Sequence, residues 1–79
     1  MTKTLLCDLR EGDSATIVNV VPCPMCEKLL ELGCLPGEPV RVEHVAPLGD
    51  PIAIRVTGSC FMLRKSDAKH IEVLLDRNA

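Results

Sequence analysis

The sequence predicts a mainly β fold: a small five-stranded antiparallel barrel with one short helix between strands 1 and 2 and a helical turn before the last strand. Three observations predict it. Short segments rich in β-branched or alternating apolar residues recur along the chain. Pro and Gly separate these segments at close spacing, as in successive hairpins. Hydrophobic residues make up 47% of the chain, but Phe61 is the only aromatic, so an aliphatic core is expected.

The first strand and the helix occupy the N-terminal half of the sequence. Residues 15–21 are mostly β-branched and predict the first strand, preceded by a short extended lead-in at residues 5–9. Pro24 suits the first turn of a helix because its missing N–H costs nothing there. Residues 25–32 then place three apolar side chains on one helical face. They are Met25, Leu29 and Leu32.

A sharp turn follows the helix. Gly33 comes directly after the last apolar helical residue, where a helix commonly ends in a left-handed conformation that glycine adopts without strain. Pro36 and Gly37 have the chemistry of the two central residues of a type II turn. A new strand is therefore expected from residue 40.

The remaining strands are predicted at residues 40–46, 52–57, 60–64 and 71–75. Alternation along residues 40–46 would place Val40, Val42, His44 and Ala46 on one face. Residues 66–70 predict one helical turn with Ser66 as its cap. A helical turn before the last strand is typical of SH3-like barrels, and an OB-type barrel, whose helix normally falls between strands three and four, is the alternative.

Composition excludes several functional classes. The formal net charge is −2 and the charges are scattered, so nucleic acid is not expected as a partner. No apolar run is long enough to cross a bilayer and no signal-peptide core is seen, which predicts a cytoplasmic protein without direct membrane insertion. A proline-rich ligand needs a groove lined by aromatic rings, which Phe61 alone cannot form. No residues combine as a catalytic site, so we expect no enzyme.

Five cysteines in a chain with no export signal predict reduced thiols. Cys23 and Cys26 have the C-x-x-C spacing that lets two thiolates reach one metal ion or each other. A structural zinc site needs four ligands, so Cys34, His44 or a second chain would have to complete it. The pair is therefore a candidate Zn or Fe(II) site, or a redox pair, against the simpler interpretation of two reduced loop cysteines.

Four segments in order resemble the FeoA family over nearly the whole chain. They are Leu6-x-Asp8-Leu9-x-x-Gly12, Leu29-Leu30-Glu31-Leu32-Gly33-x-x-Pro36-Gly37, residues 46–51 (Ala-Pro-Leu-Gly-Asp-Pro) and Leu63-Arg64-Lys65-x-Asp67-Ala68. The resemblance implies one SH3-like domain over residues 1–79, and a cytoplasmic accessory protein of bacterial ferrous iron uptake that contacts and regulates the GTPase domain of the membrane transporter FeoB. Cys34 departs from the leucine more usual at its position. The C-x-x-C pair is not part of the family pattern.

The same domain resembles the C-terminal module of iron- and manganese-dependent repressors, which is the alternative family interpretation. Such a module would follow a DNA-binding helix-turn-helix and a dimerisation region. Because the chain starts at Met1 with room for neither, a free-standing accessory protein is the expectation.

The helix and the turn after it are the candidate partner-binding region. The predicted contact residues are Leu30, Leu32, Gly33, Leu35, Pro36 and Gly37. Leu29 and Leu32 lie on the apolar stripe and are expected to fill the barrel, whereas Leu30 and Leu35 are the better candidates for exposure. The main alternative function is metal binding at Cys23 and Cys26, and self-association is left open.

Overall fold

A computed structural model describes residues 2–76 of the chain. Six strands, two short helices and one 3-10 turn follow each other along it. The strands are β1 (Thr2–Leu5), β2 (Ser14–Val20), β3 (Pro39–Val45), β4 (Ile52–Val56), β5 (Ser59–Leu63) and β6 (Ile71–Asp76). The helices are α1 (Cys26–Glu31) and α2 (Lys65–Ala68), and the 3-10 turn is Leu6–Asp8.

All six strands form one antiparallel sheet in the order β1-β6-β2-β3-β4-β5. The prediction of a mainly β, antiparallel fold is confirmed, with one strand more than the five expected. The additional strand is β1, which pairs with β6 from Thr2 opposite Leu75 to Leu5 opposite Glu72. The predicted extended lead-in at residues 5–9 is instead the end of β1, the 3-10 turn and Leu9.

The core is aliphatic and draws on five of the six strands, on both helices and on the 3-10 turn. Leu6 follows β1, Ile17 comes from β2, Ile54 from β4, Leu63 from β5 and Val73 from β6, and all belong to one buried cluster. Because β5, at one end of the strand order, and Leu6, directly after β1 at the other end, contribute to the same cluster, the sheet curves around it. α1 adds Leu29 and α2 adds Ala68, both fully buried.

The prediction that His44 shares a face with Val40 and Val42 is wrong. The register between β3 and β4 shifts between Val42 and His44, so the alternation is interrupted by a bulge and His44 is exposed. Glu11 supports this irregular edge: its Oε1 accepts a hydrogen bond from the Val45 N–H at 3.0 Å and lies 3.0 Å from His44 Nδ1.

The cap of the second helical turn also differs from the prediction. Ser66 lies inside α2, and the residue preceding the helix is Arg64. The side chain that satisfies the first helical N–H comes from the β3–β4 loop, where Asp50 Oδ1 accepts a hydrogen bond from the Lys65 N–H at 3.0 Å. The carboxylate of Asp50, which is distant in sequence, therefore caps α2 in place of the predicted Ser66.

Within residues 2–76, neither helix has the length or apolar character required of a membrane-spanning segment.

Candidate functional site

The end of α1 is fixed by a pair of backbone hydrogen bonds. Cys34 N–H donates to Leu29 O at 2.9 Å and Gly33 N–H donates to Leu30 O at 3.1 Å. These are the two bonds of a Schellman motif, with Gly33 in the left-handed region at φ +102°. The predicted glycine-terminated helix is confirmed, and its end satisfies backbone groups that would otherwise be left unpaired.

Gly33 also brings α1 close to the turn between β4 and β5. A Cβ placed on Gly33 would lie 2.5 Å from Thr57 Oγ1 and 3.2 Å from Thr57 Cγ2. Real side chains do not approach so closely, so glycine is required here by space as well as by φ. This contact fixes the end of the helix against the β4–β5 hairpin.

The turn after the helix is held by β2. Glu38 N–H donates to Leu35 O at 3.0 Å across Pro36 and Gly37, and Gly37 has φ +93°, as the predicted type II turn requires. Gly37 N–H donates to Ile17 O at 2.7 Å, and Ile17 N–H donates to Glu38 O at 2.9 Å. The turn therefore continues the sheet and has a defined position relative to α1.

The leucines divide between the core and the surface. Leu29 is fully buried, whereas its neighbour Leu30 is 37% exposed and Leu35 is 44% exposed. Pro36 is exposed as well, and Leu32 is half-buried, which is more accessible than a residue that simply fills the barrel. We call Leu30, Leu32, Leu35 and Pro36 the helix–turn surface. The predicted contact residues Gly33 and Gly37 shape this surface through their backbone.

Cys34 does not join the C-x-x-C pair. Its side chain is fully buried in the core cluster with Leu29, as expected for the residue that follows a Schellman glycine. Burial raises the pKa of the Cys34 thiol from 9.0 to about 11, so it stays protonated at neutral pH. Among residues 2–76, no three His, Cys, Asp or Glu side chains are grouped to hold a metal ion, so neither Cys34 nor His44 completes a site with Cys23 and Cys26.

Cys23 and Cys26 lie on either side of a tight turn before α1. Cys26 N–H donates to Cys23 O at 3.0 Å, and Met25 between them has φ −91° and ψ 0°. The predicted helix start at residues 24–25 is thus a turn, and α1 begins at Cys26. Both thiols are free and half-buried.

Three surface features were not singled out from the sequence. Leu48, at the tip of the β3–β4 loop, is 97% exposed, and Met62 on β5 is exposed too. A groove of about 330 Å³ lies over the start of β2 and β3 and the β4–β5 turn, with Arg41 and Arg55 on its wall. The two arginines share one carboxylate, since Glu43 Oε1 lies 3.0 Å from Arg55 Nε and 3.9 Å from Arg41 Nε. Pro47 and Gly49 on either side of Leu48 could have indicated an exposed loop from the sequence alone. The groove could not have been found in this way, because it is formed by strands that are distant in sequence.

The chain is similar to known proteins in both sequence and structure. Residues 4–75 match the family model described as FeoA domain. The chain is 40% identical over 76 residues to an Fe(2+) transport protein A/Fe(2+) transporter FeoB fusion protein of Porphyromonas gingivalis, a match that covers 94% of this chain. The chain spans only 9% of the length of that fusion protein.

Solved structures show the same fold. A FeoA-like protein from Clostridium acetobutylicum superposes with a TM-score of 0.90 at 32% identity, covering 100% of this chain and 94% of that one. A zinc complex of Stenotrophomonas maltophilia FeoA, described as an SH3 domain protein, has a TM-score of 0.78 at 32% identity, covering 92% and 89% of the two chains. The predicted SH3-like class is thereby confirmed. A manganese-dependent transcriptional repressor has a TM-score of 0.83 at 19% identity, covering 92% of this chain and 41% of that one, which shows a shared fold alone.

Proposed function

This chain belongs to the FeoA family, and on that premise we propose that it is a single-domain, non-enzymatic cytoplasmic accessory protein of bacterial ferrous iron uptake that binds and regulates the membrane transporter FeoB. The observation that carries the proposal is the Porphyromonas gingivalis fusion protein, in which a segment similar to 94% of this chain is joined to FeoB in one polypeptide. Fusion keeps two partners at high effective concentration, so it supports direct association when the partners are separate chains.

The helix–turn surface is our candidate for the contact with the cytosolic GTPase domain. It combines exposed apolar side chains, Leu30 and Leu35, with Pro36 on a backbone that is already ordered. Binding through such a surface loses little conformational entropy, because the Schellman motif and the bonds to β2 hold the residues in place before the partner arrives. A few well-packed residues near the centre of an interface carry much of its affinity.

An NMR titration tests this contact. Isotope-labelled protein is titrated with the isolated GTPase domain of the cognate transporter, and we expect the largest shifts at residues 29–37. Leu30→Gln and Leu35→Gln should each weaken binding by about tenfold or more, the equivalent of about 1.4 kcal/mol. Leu48→Gln is the matched control, because Leu48 is the most exposed leucine and lies on a different loop. Shifts confined to the Leu48 loop, or equal effects of all three variants, would place the contact elsewhere.

Ferrous iron uptake tests the physiological role. In cells that keep the transporter, removal of this chain should change uptake of Fe(II), and restoring the wild-type chain should reverse the change. Restoring the Leu30→Gln variant should leave the change in place although the protein is folded. Normal uptake without the chain would contradict the proposed role.

Metal binding at Cys23 and Cys26 is the second candidate function, favoured by the zinc complex of the Stenotrophomonas maltophilia relative. The residues present do not fit a complete structural zinc site: the described part of the chain supplies no third ligand to this pair. A zinc or ferrous ion held by these two thiols would need ligands from a second molecule. Native mass spectrometry of protein purified without added metal tests this function, and the mass of the bare reduced chain would contradict it.

A further inference from the structure

The backbone between Cys23 and Cys26 forms a tight turn that brings the two cysteines close together. The hydrogen bond from Cys26 N–H to Cys23 O, with Pro24 and Met25 as central residues, defines a type I turn. In such a turn the first and last Cα atoms are less than about 7 Å apart. Disulfides join Cα atoms separated by about 4.4–6.8 Å, so the turn brings the two Cα atoms to about the range that a disulfide spans.

The other three cysteines lack this arrangement. Cys34 is fully buried in the core. Cys7 lies in the 3-10 turn and Cys60 on β5, and neither shares a four-residue turn with another cysteine. Cys23 and Cys26 are both half-buried, so a small reagent can reach them while the turn keeps them together.

Within residues 2–76, no third side chain is grouped with the pair to hold a metal ion. The chemistry that two neighbouring thiols complete without further ligands is their own oxidation. We propose that Cys23 and Cys26 form a reversible intramolecular disulfide by exchange with a low-molecular-weight disulfide such as oxidised glutathione.

The exchange balances in two steps. The thiolate of one cysteine attacks a sulfur of the disulfide reagent, which forms a mixed disulfide and releases one equivalent of the reduced thiol. The thiolate of the second cysteine then attacks the protein sulfur of the mixed disulfide, closes the Cys23–Cys26 bond and releases the second equivalent. The two protein thiols lose two protons and two electrons, and the reagent is reduced to two thiols.

Tryptic peptides make the product directly measurable. Residues 11–28 form one peptide that contains Cys23 and Cys26 and no other cysteine, and residues 56–64 form a peptide that contains Cys60 alone. The native protein is equilibrated in glutathione buffers of increasing oxidising ratio, quenched with acid, alkylated and digested. We expect the 11–28 peptide to lose two hydrogen atoms and to resist alkylation at ratios where the 56–64 peptide is still mostly reduced, because closing a short loop is favoured over a bimolecular mixed disulfide.

Single variants test the second step. In Cys23→Ser or Cys26→Ser, the remaining cysteine should accumulate a glutathione adduct, whereas the wild-type peptide should carry almost none. A second readout is the Leu30 amide resonance, which should shift on oxidation because Cys26 and Leu30 are four residues apart on one face of α1. Three results would overturn the proposal: a fully reduced 11–28 peptide at the most oxidising ratio, glutathione adducts equal to those on Cys60, or crosslinks to other cysteines. The wild-type measurement decides the matter even where a variant fails to fold.

Discussion

Replacing Gly33 with alanine is expected to destabilise the protein more than any other single-methyl addition at a glycine. The substitution acts in two ways. It forces an L-residue to adopt φ +102°, and it places a Cβ 2.5 Å from Thr57 Oγ1. Thr57 cannot turn aside freely, because its Oγ1 donates a hydrogen bond to Val56 O at 2.8 Å and rotation would break it.

The expected loss of stability in Gly33→Ala is the sum of these two effects. An unfavourable φ costs about 1–3 kcal/mol, and overpacking against a fixed neighbour adds about 1–3 kcal/mol. The sum, about 2–6 kcal/mol, is large beside the total stability of about 4–12 kcal/mol expected at about 0.05–0.15 kcal/mol per residue. In a domain of this size, each kcal/mol lowers the melting temperature by about 4–8 °C.

Gly37→Ala is the matched control. Gly37 has a similar φ of +93°, but a Cβ there would meet nothing within 4 Å. The two variants therefore share the backbone term, and the difference between them measures the contact with Thr57. That difference should be about 1–3 kcal/mol, and it should largely disappear when both are made in a Thr57→Ala background.

Urea unfolding followed by far-UV circular dichroism is the appropriate assay, because the chain has no Trp or Tyr for fluorescence. If Gly33→Ala costs no more than Gly37→Ala, α1 does not pack against the β4–β5 turn as closely as the structure shows. If the excess cost survives in the Thr57→Ala background, another neighbour causes it.

Three further predictions concern the core and the helix caps. Asp50→Ala should lower stability by about 1 kcal/mol through loss of the α2 cap, whereas Ser66→Ala should change it by less than about 0.5 kcal/mol in the same urea titration. Leu29→Ala should cost about 2–5 kcal/mol by leaving a cavity, and Leu30→Ala less than about 1 kcal/mol. Burial raises the pKa of the Cys34 thiol to about 11. The contribution of the protonated thiol to the free energy of unfolding should therefore be complete below pH 9 and lost as the pH rises through about 11. The stability of wild type relative to Cys34→Ala should fall by about 1.4 kcal/mol per pH unit in that window, and parallel pH profiles would contradict this.

Local chemistry in the sequence predicted the parts of the fold that are held by neighbouring residues. Gly33 ends α1, and Pro36 and Gly37 form the type II turn, because both features depend on backbone preferences of the residues themselves. The five predicted strands are present for a similar reason: their apolar alternation is visible within each segment.

Features that depend on distant parts of the chain could not be predicted in the same way. β1 is a strand because β6 pairs with it, and nothing in its four residues distinguishes it from an extended lead-in. The bulge beside His44 is supported by Glu11, and the cap of α2 comes from Asp50. In each case the partner lies well away along the sequence, so local propensity offers no signal of the contact.

The helix–turn surface has some features that the sequence predicts and others that only the structure reveals. Leu29 and Leu30 are neighbours about 100° apart around α1, and helical periodicity correctly separated the buried leucine from the exposed one. Cys34 could not be assigned by periodicity, because it follows the helix; the Schellman bonds, visible only in the structure, direct it into the core and away from the C-x-x-C pair.

The backbone of the helix–turn surface is held by Gly33, by Gly37 and by hydrogen bonds to β2, none of which involves the side chains of Leu30 or Leu35. Substitution of these two leucines should therefore change partner binding while leaving stability nearly intact, whereas substitution of Gly33 or Gly37 should lower stability and disturb the surface together. Comparing the two classes of variant in one binding assay and one unfolding assay separates a docking surface from leucines that merely cover the core.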